Sequence, residues 1–138
     1  MLRQIQNKDW PVVRKWLFEV AESSFDKFIP DILEKKIEED YKKFPEGFVV
    51  SEEKGLNGLL WFGTFPEKKS AFIHAIYVTP SYRGKGVSDK LIDYLEKYCK
   101  KRGISEIDLN VSIGLGDAIK FYKRCGFEIK RYNMSKRL

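Results

Sequence analysis

One histidine, two cysteines and two methionines are all that this 138-residue chain holds of its most adaptable ligating side chains. Cys99 and Cys125 are too few for a disulfide framework, and with a single histidine they make no recognisable structural zinc site. Both read as buried apolar residues, and no metal is expected. No stretch approaches the roughly 20 apolar residues that span a bilayer, and Met1-Leu2-Arg3-Gln4-Ile5-Gln6 lacks the apolar run of a signal peptide. The expectation is a cytoplasmic protein with no membrane partner. Repeats, low-complexity runs and linkers are also missing, which leaves one domain over residues 1–138.

What is present suffices for one core: 43% of the residues are hydrophobic and 14% aromatic. A net charge of +6 favours polyanionic partners, whether nucleic acid, acidic lipid or a phosphorylated cofactor, without choosing among them.

Residues 2–6 alternate as a short strand. A helix follows, with Asp9 placed to cap it, Pro11 in its first turn, and Trp10, Val13, Leu17 and Val20 as its apolar stripe; Trp10 and Trp16 read as core. A second helix starts near Pro30 and Asp31, carrying Leu33, Ile37, Tyr41 and Phe44 at helical spacing. Residues 48–52, 58–65 and 71–78 then form an antiparallel meander with turns at Lys54-Gly55 and around 66–70. Val87, Leu91, Leu95 and Tyr98 mark a long amphipathic helix stopped at Gly103. Residues 104–111 read as a strand, 117–124 as a short helix ending at Gly126, and 127–129 and 132–136 as closing strands.

Between the third meander strand and the long helix lies Arg83-Gly84-Lys85-Gly86-Val87-Ser88. A glycine-rich turn at a helix start is an anion site, because first-turn N–H groups lack helical partners and the helix dipole adds partial positive charge. Gly84 and Gly86 let the backbone approach a phosphate, while Arg83 and Lys85 add full charges. The loop has neither the G-x-G-x-x-G fingerprint nor the Gly-Lys-Ser/Thr ending of a P-loop, and taken alone it has a tight turn as its plain alternative.

It is not alone. Residues 78–88, followed by Leu91-Ile92, resemble the R/Q-x-x-G-x-G/A acetyl-CoA signature of the GCN5-related N-acetyltransferases (GNAT), with Arg83 and Gly86 at its first two fixed positions. Downstream, Ala118, Phe121-Tyr122 and Gly126-Phe127 match the family's A-x-x-x-Y-x-x-x-G-F segment. The resemblance covers nearly the whole chain and implies the family's α/β fold, a mixed and mostly antiparallel sheet with helices on both faces. Ser88 departs from the usual Gly or Ala but is small and can donate a hydroxyl; Leu115 replaces an Asn that contacts the cofactor in many members.

That resemblance implies acetyl-CoA as cosubstrate. The backbone of Ile76, Tyr77 and Val78 would pair with the pantetheine arm as an added strand, the loop Arg83, Gly84, Lys85, Gly86, Val87 and Ser88 would hold the diphosphate, and the thioester would lie between Val78 and about Asn110. A backbone N–H within 76–78 would face the developing oxyanion. Tyr122 stands where the family places the proton donor to the leaving thiolate: the thiol has a pKa near 8.5, so a phenol near 10 can assist without being ionised. A lysine-like ammonium acceptor, pKa near 10.4, must lose a proton, which costs about 4 to 5 kcal/mol at pH 7. His74, on the strand face of Ile76 and Val78, is the candidate base, with Asp108 or Glu52 through water as alternatives and a structural histidine as the plain reading.

Three functions follow: an N-acetyltransferase acting by direct attack in a ternary complex; a coenzyme A-binding regulatory or interaction module of the same fold with weak or no turnover; and a nucleic-acid-binding domain. The last is disfavoured because the lysines are interspersed with acids. The acceptor class is an amine of a small molecule or peptide, and a homodimer is left open. Trp61, Phe62, Phe65, Phe25, Phe28 and Ile29 are read as either acceptor-pocket lining or core.

Overall fold

The computed structural model describes residues 1–24 and 28–138. The elements in chain order are β1 (Leu2–Gln4), α1 (Trp10–Ser24), α2 (Pro30–Lys43), β2 (Phe48–Glu52), β3 (Leu56–Phe65), β4 (Ser70–Val78), α3 (Val87–Lys101), β5 (Glu106–Leu109) and α4 (Gly116–Arg124). The strands lie side by side in sequence order; β1 to β4 are antiparallel, and β5 joins β4 in parallel after the α3 crossover. The expected mixed α/β architecture is present. None of the described helices is long and apolar enough to cross a membrane.

Each face of the sheet has its own core. Val49, Leu60, Phe62, Ala71, Ile73 and Val78 meet Val87, Leu91, Ile92, Leu95 and Tyr98 of α3, with Phe121 and Tyr122 of α4 packed against the same cluster. On the opposite face Phe48, Val50, Leu59, Trp61 and Ala75 meet Val13, Trp16 and Leu17 of α1 and Ile37 of α2. The helical stripes and strand alternation that predict these elements are the same apolar positions that fill the two cores. Cys99 is buried in the α3 cluster, and Cys125 is half-buried against it.

Four expectations are corrected. Asp9 does not cap α1: it sits at the end of a 3-10 turn over Asn7–Asp9, where its carboxylate accepts the Gln6 N–H at 2.8 Å and takes Arg3 bidentately at 2.7 and 3.0 Å. The segment read as a strand over 104–111 is β5 alone, because pairing with β4 stops at Ile73↔Leu109. Residues 127–129 and 132–136 form no strand. Their alternation is real, but Ile129, Tyr132 and Met134 are 56–89% exposed, so no buried face rewards pairing, and a Lys130–Glu106 ion pair at 2.6 Å joins the segment to β5.

The last correction concerns β4. Trp61 pairs with Ala75 and Phe62 with Ile73, so His74 is the extra residue of a β-bulge. The bulge inverts the alternation: Ala71 and Ile73 face α3 before it, and Ile76 and Val78 face α3 after it, while Ala75 and Tyr77 face α1. His74 is therefore on the α2 side of the sheet, beside Trp61 and Asp40, and not on the face of Ile76 and Val78.

Candidate active site

Gly86 is the N-cap of α3, with φ +84°, and Gly84 has φ +77°. Both lie in the left-handed region open to glycine at little cost. An ideal Cβ on either would meet nothing within 4 Å, so the requirement is conformational and the surrounding space is open. With glycine at the cap, no side chain satisfies the helix start. The first-turn amides of α3 accordingly face a polar cavity of about 130 Å³, lined by Val78, Tyr82, Gly84, Gly86, Val87, Ser88, Asp89, Phe121 and Arg124.

The motif cations lie elsewhere. Arg83 donates through Nε to the Val78 carbonyl at 2.9 Å, and its guanidinium lies 5.6 Å from the Tyr77 ring centre. Lys85 folds its ammonium over Tyr82 at 5.6 Å.

Beside the cavity the sheet opens. Past Ile73↔Leu109 the strands part, and among the described residues β4 from Ala75 to Val78 pairs with no strand on its β5 side. The Thr79 N–H bonds the Asn57 carbonyl at 3.0 Å, which fixes the alternation of the antiparallel ladder with β3. Tyr77 directs its backbone groups to Leu59, whereas Ile76 and Val78 direct theirs into the gap; the Arg83 bond to the Val78 carbonyl uses that free edge. The Tyr77 ring stacks on Trp16 at 4.9 Å and its hydroxyl donates to Glu19 at 3.0 Å. Asn110, one residue past Leu109, is exposed at the closed apex of the gap, while Val78 is at its mouth, about 13 Å farther along at the usual rise per residue.

The two candidate proton carriers lie on opposite faces of the sheet. Tyr122 is half-buried between Phe121 and Phe127, with ring centres 5.3 and 5.6 Å away, on the α3 side. Burial raises its pKa above the usual value, with Cys125 adding to the effect, so the phenol stays protonated and can donate. His74 lies under α2, 4.7 Å from the Trp61 ring centre and 3.7 Å from the Asp40 carboxylate. Burial and then Lys36 lower its pKa to about 4, against the smaller opposing pull of Asp40, so the imidazole is neutral at pH 7.

The model of the acetyltransferase (GNAT) family matches residues 2–127. The chain is 34% identical over 116 residues to an uncharacterised N-acetyltransferase of Methanocaldococcus jannaschii, spanning 84% of this chain and 44% of that protein, so it corresponds to less than half of that relative's length. It is 29% identical over 125 residues to the uncharacterised N-acetyltransferase YycN of Bacillus subtilis, covering 89% and 79% of the two chains. The solved structure of an N-acetyltransferase from Staphylococcus aureus Mu50 superposes with a TM-score of 0.73 at 22% identity, over 93% of this chain and 82% of that one, a likeness of fold. This chain belongs to the GNAT family.

Within this GNAT domain the donor set of the cradle suits a phosphorylated cosubstrate: uncapped helix amides, the Ser88 hydroxyl, an arginine and an open strand edge converge on one side of the sheet. Among the described residues no group of three His, Cys, Asp or Glu side chains gathers into a metal-binding cluster. Glu52, a candidate base, is committed to Arg3 at 3.2 and 3.4 Å, which holds its carboxyl below the ordinary value, while Asp108 is in register with Phe72, on the paired side of the apex. Trp61 and Phe62 are buried core residues. Phe65 and Ile29 are exposed, Phe28 packs edge-on against Phe18 at 5.6 Å, and Phe25 lies outside the described residues. Arg124 was not singled out by sequence reasoning; its spacing from Ala118 and Tyr122 reads as a basic helix end, and only the packing of α4 brings it to the cavity.

Proposed function

We propose that this domain is an N-acetyltransferase that moves the acetyl group of acetyl-CoA to a primary amine by direct attack within a ternary complex. The observation that carries this reading is the β4 edge at Ile76 and Val78, unpaired by β5 and met by the Arg83 side chain at the Val78 carbonyl, leading into the uncapped start of α3. An extended arm with amides can add to that edge as a strand, and its phosphorylated end then falls at Gly84, Gly86 and Ser88. With the diphosphate there, the reacting end points to the apex of the gap near Asn110 rather than to Val78.

Acetyl-CoA supplies the activated acyl group. The chain supplies orientation, donors and proton carriers. The N–H groups of Ile76 and Val78 point into the gap and can stabilise negative charge developing on the acyl oxygen. Tyr122, kept neutral by burial and with no protein partner for its hydroxyl among the described residues, donates to the leaving thiolate from the α3 side. The amine arrives from the other face, where neutral His74 is the base nearest the apex; Asp40 is placed to stabilise the imidazolium that forms.

Calorimetric titration with acetyl-CoA and free coenzyme A, beside Gly86→Glu, tests the reading. Binding by the native protein that Gly86→Glu abolishes, followed by amine-dependent thiol release, is the expected result. A folded native protein that binds neither ligand at millimolar concentration overturns it. Binding without thiol release across a broad amine panel would instead favour a coenzyme A-binding module.

A further inference from the structure

A carboxylate on the α1 side of β4, Glu19, takes no part in either proton transfer. Tyr77 lies between Ile76 and Val78, whose backbone groups point into the gap, and its side chain leaves the strand on the α1 face. There its ring stacks on Trp16 at 4.9 Å and its hydroxyl donates to Glu19 Oε2 at 3.0 Å. The Glu19 carboxylate is thereby held beside the strand edge, on the face from which the amine arrives. We infer that Glu19 receives the ammonium of the acceptor, and that the domain thereby selects aliphatic amines that arrive protonated over aromatic amines that arrive neutral. The inference rests on the reading that the acyl end of acetyl-CoA lies against the N–H groups of Ile76 and Val78.

Three observations support it. Glu19 is exposed and forms no ion pair among the described residues, and the last turn of α1 carries no basic side chain. Arg83, on the same Tyr77 ring, is held instead at the Val78 carbonyl at 2.9 Å. Tyr77 uses only Oε2, so Oε1 is left to accept from an ammonium, whose three N–H donors need such partners once water is displaced. The support beneath the carboxylate is also firm: Trp16 is 6% exposed, and the Tyr77 ring lies against it. A cation approaching a chain of net charge +6 is repelled at long range, so a carboxylate beside the gap decides which protonated amines stay. A neutral aromatic amine gains no charge-assisted bond there. Glu19 binds the ammonium, and His74 takes the proton that leaves before attack.

The test is steady-state thiol release at saturating acetyl-CoA with butylamine, phenylethylamine, a dipeptide with a free N-terminus and aniline as probe acceptors. The native protein is compared with Glu19→Gln, Glu19→Ala and Tyr77→Phe, each checked for an unchanged thermal transition and for acetyl-CoA affinity by calorimetry. Aniline should be the poorest acceptor of the native protein. Loss of the carboxylate should raise the KM for the protonated acceptors about fivefold or more in both Glu19→Gln and Glu19→Ala, with kcat and acetyl-CoA affinity changed about twofold at most. Tyr77→Phe keeps the stack on Trp16 but releases the carboxylate, and should give a smaller rise in the same KM. Added salt should raise the native KM for these acceptors more steeply than that of Glu19→Gln. An acceptor KM within about twofold of native in both Glu19 variants, or a native protein that prefers aniline, overturns the inference while leaving the transferase reading intact. A native protein that releases no thiol with any of the amines overturns both.

Discussion

The two faces of the sheet solve different problems. On the α3 side, groups close in sequence do most of the work: glycines with positive φ, a helix start left uncapped, and a strand leading straight into them. On the α1 and α2 side, groups distant in sequence are brought together: His74 of β4 meets Asp40 and Lys36 of α2, and Tyr77 meets Trp16 and Glu19 of α1. A site made of local geometry survives as a motif. A site made of side chains packed from distant elements leaves no such local pattern, which is why the first face has a recognisable signature and the second has none.

The largest effect expected across that comparison belongs to Tyr122→Phe, which removes the hydroxyl proposed as proton donor and leaves the ring packing with Phe121 and Phe127. It should lower kcat by at least about 10²-fold with little change in the KM for acetyl-CoA. A kcat within threefold of native in steady-state thiol-release assays would assign the tyrosine to packing alone.

Gly86→Val should cost coenzyme A affinity without unfolding the protein. A β-branched residue at φ +84° is strained by about 1 to 2 kcal/mol, and its side chain enters the cradle. Calorimetry should show at least tenfold weaker binding alongside an intact circular dichroism spectrum.

Arg3→Ala should do the reverse. It strands the Asp9 carboxylate, 3% exposed, and should cost about 3 kcal/mol in urea unfolding while sparing coenzyme A affinity, because the network lies at β1 and β2, away from the gap. Altered cofactor binding at unchanged stability would break the assignment.

The last effect is a slope with pH. The His74 pKa is lowered on folding from 6.5 to about 4, so the unfolded chain takes up a proton first as pH falls. Native stability should therefore drop by roughly 3 kcal/mol between pH 6.5 and 4, with no contribution from this group above 6.5. His74→Asn should flatten that slope. Further loss at lower pH comes from carboxylates with depressed pKa, Asp9 among them, which is lowered chiefly by Arg3 and whose stabilisation disappears as it is protonated. If His74 is also the base, the acidic limb of the kcat profile should vanish in the same variant.

The legible part of the fold was carried by periodicity and turn chemistry. Val13 and Leu17, the stripe of α3, Gly55 and Gly103 all act where their patterns place them, because helix faces and positive-φ turns are decided within a few residues. The exposed segment 127–138 shows the limit of this reasoning: alternation is necessary for a strand, but pairing needs an edge and a buried face. His74 shows another limit. One bulged residue reverses every later side-chain direction, and nothing in the sequence around residue 74 announces it.

By itself, then, the amino-acid sequence determined the order of helices and strands, the apolar faces that form two cores, and the glycine-cap cradle at the start of α3, since each depends on interactions spanning a few residues. Tertiary structure decided where β4 and β5 part, which face His74 takes, that Arg83 turns back to Val78, and that Arg124 arrives at the cradle from α4. Those outcomes depend on contacts between residues far apart in the chain, where packing and hydrogen-bond completion outweigh any local preference.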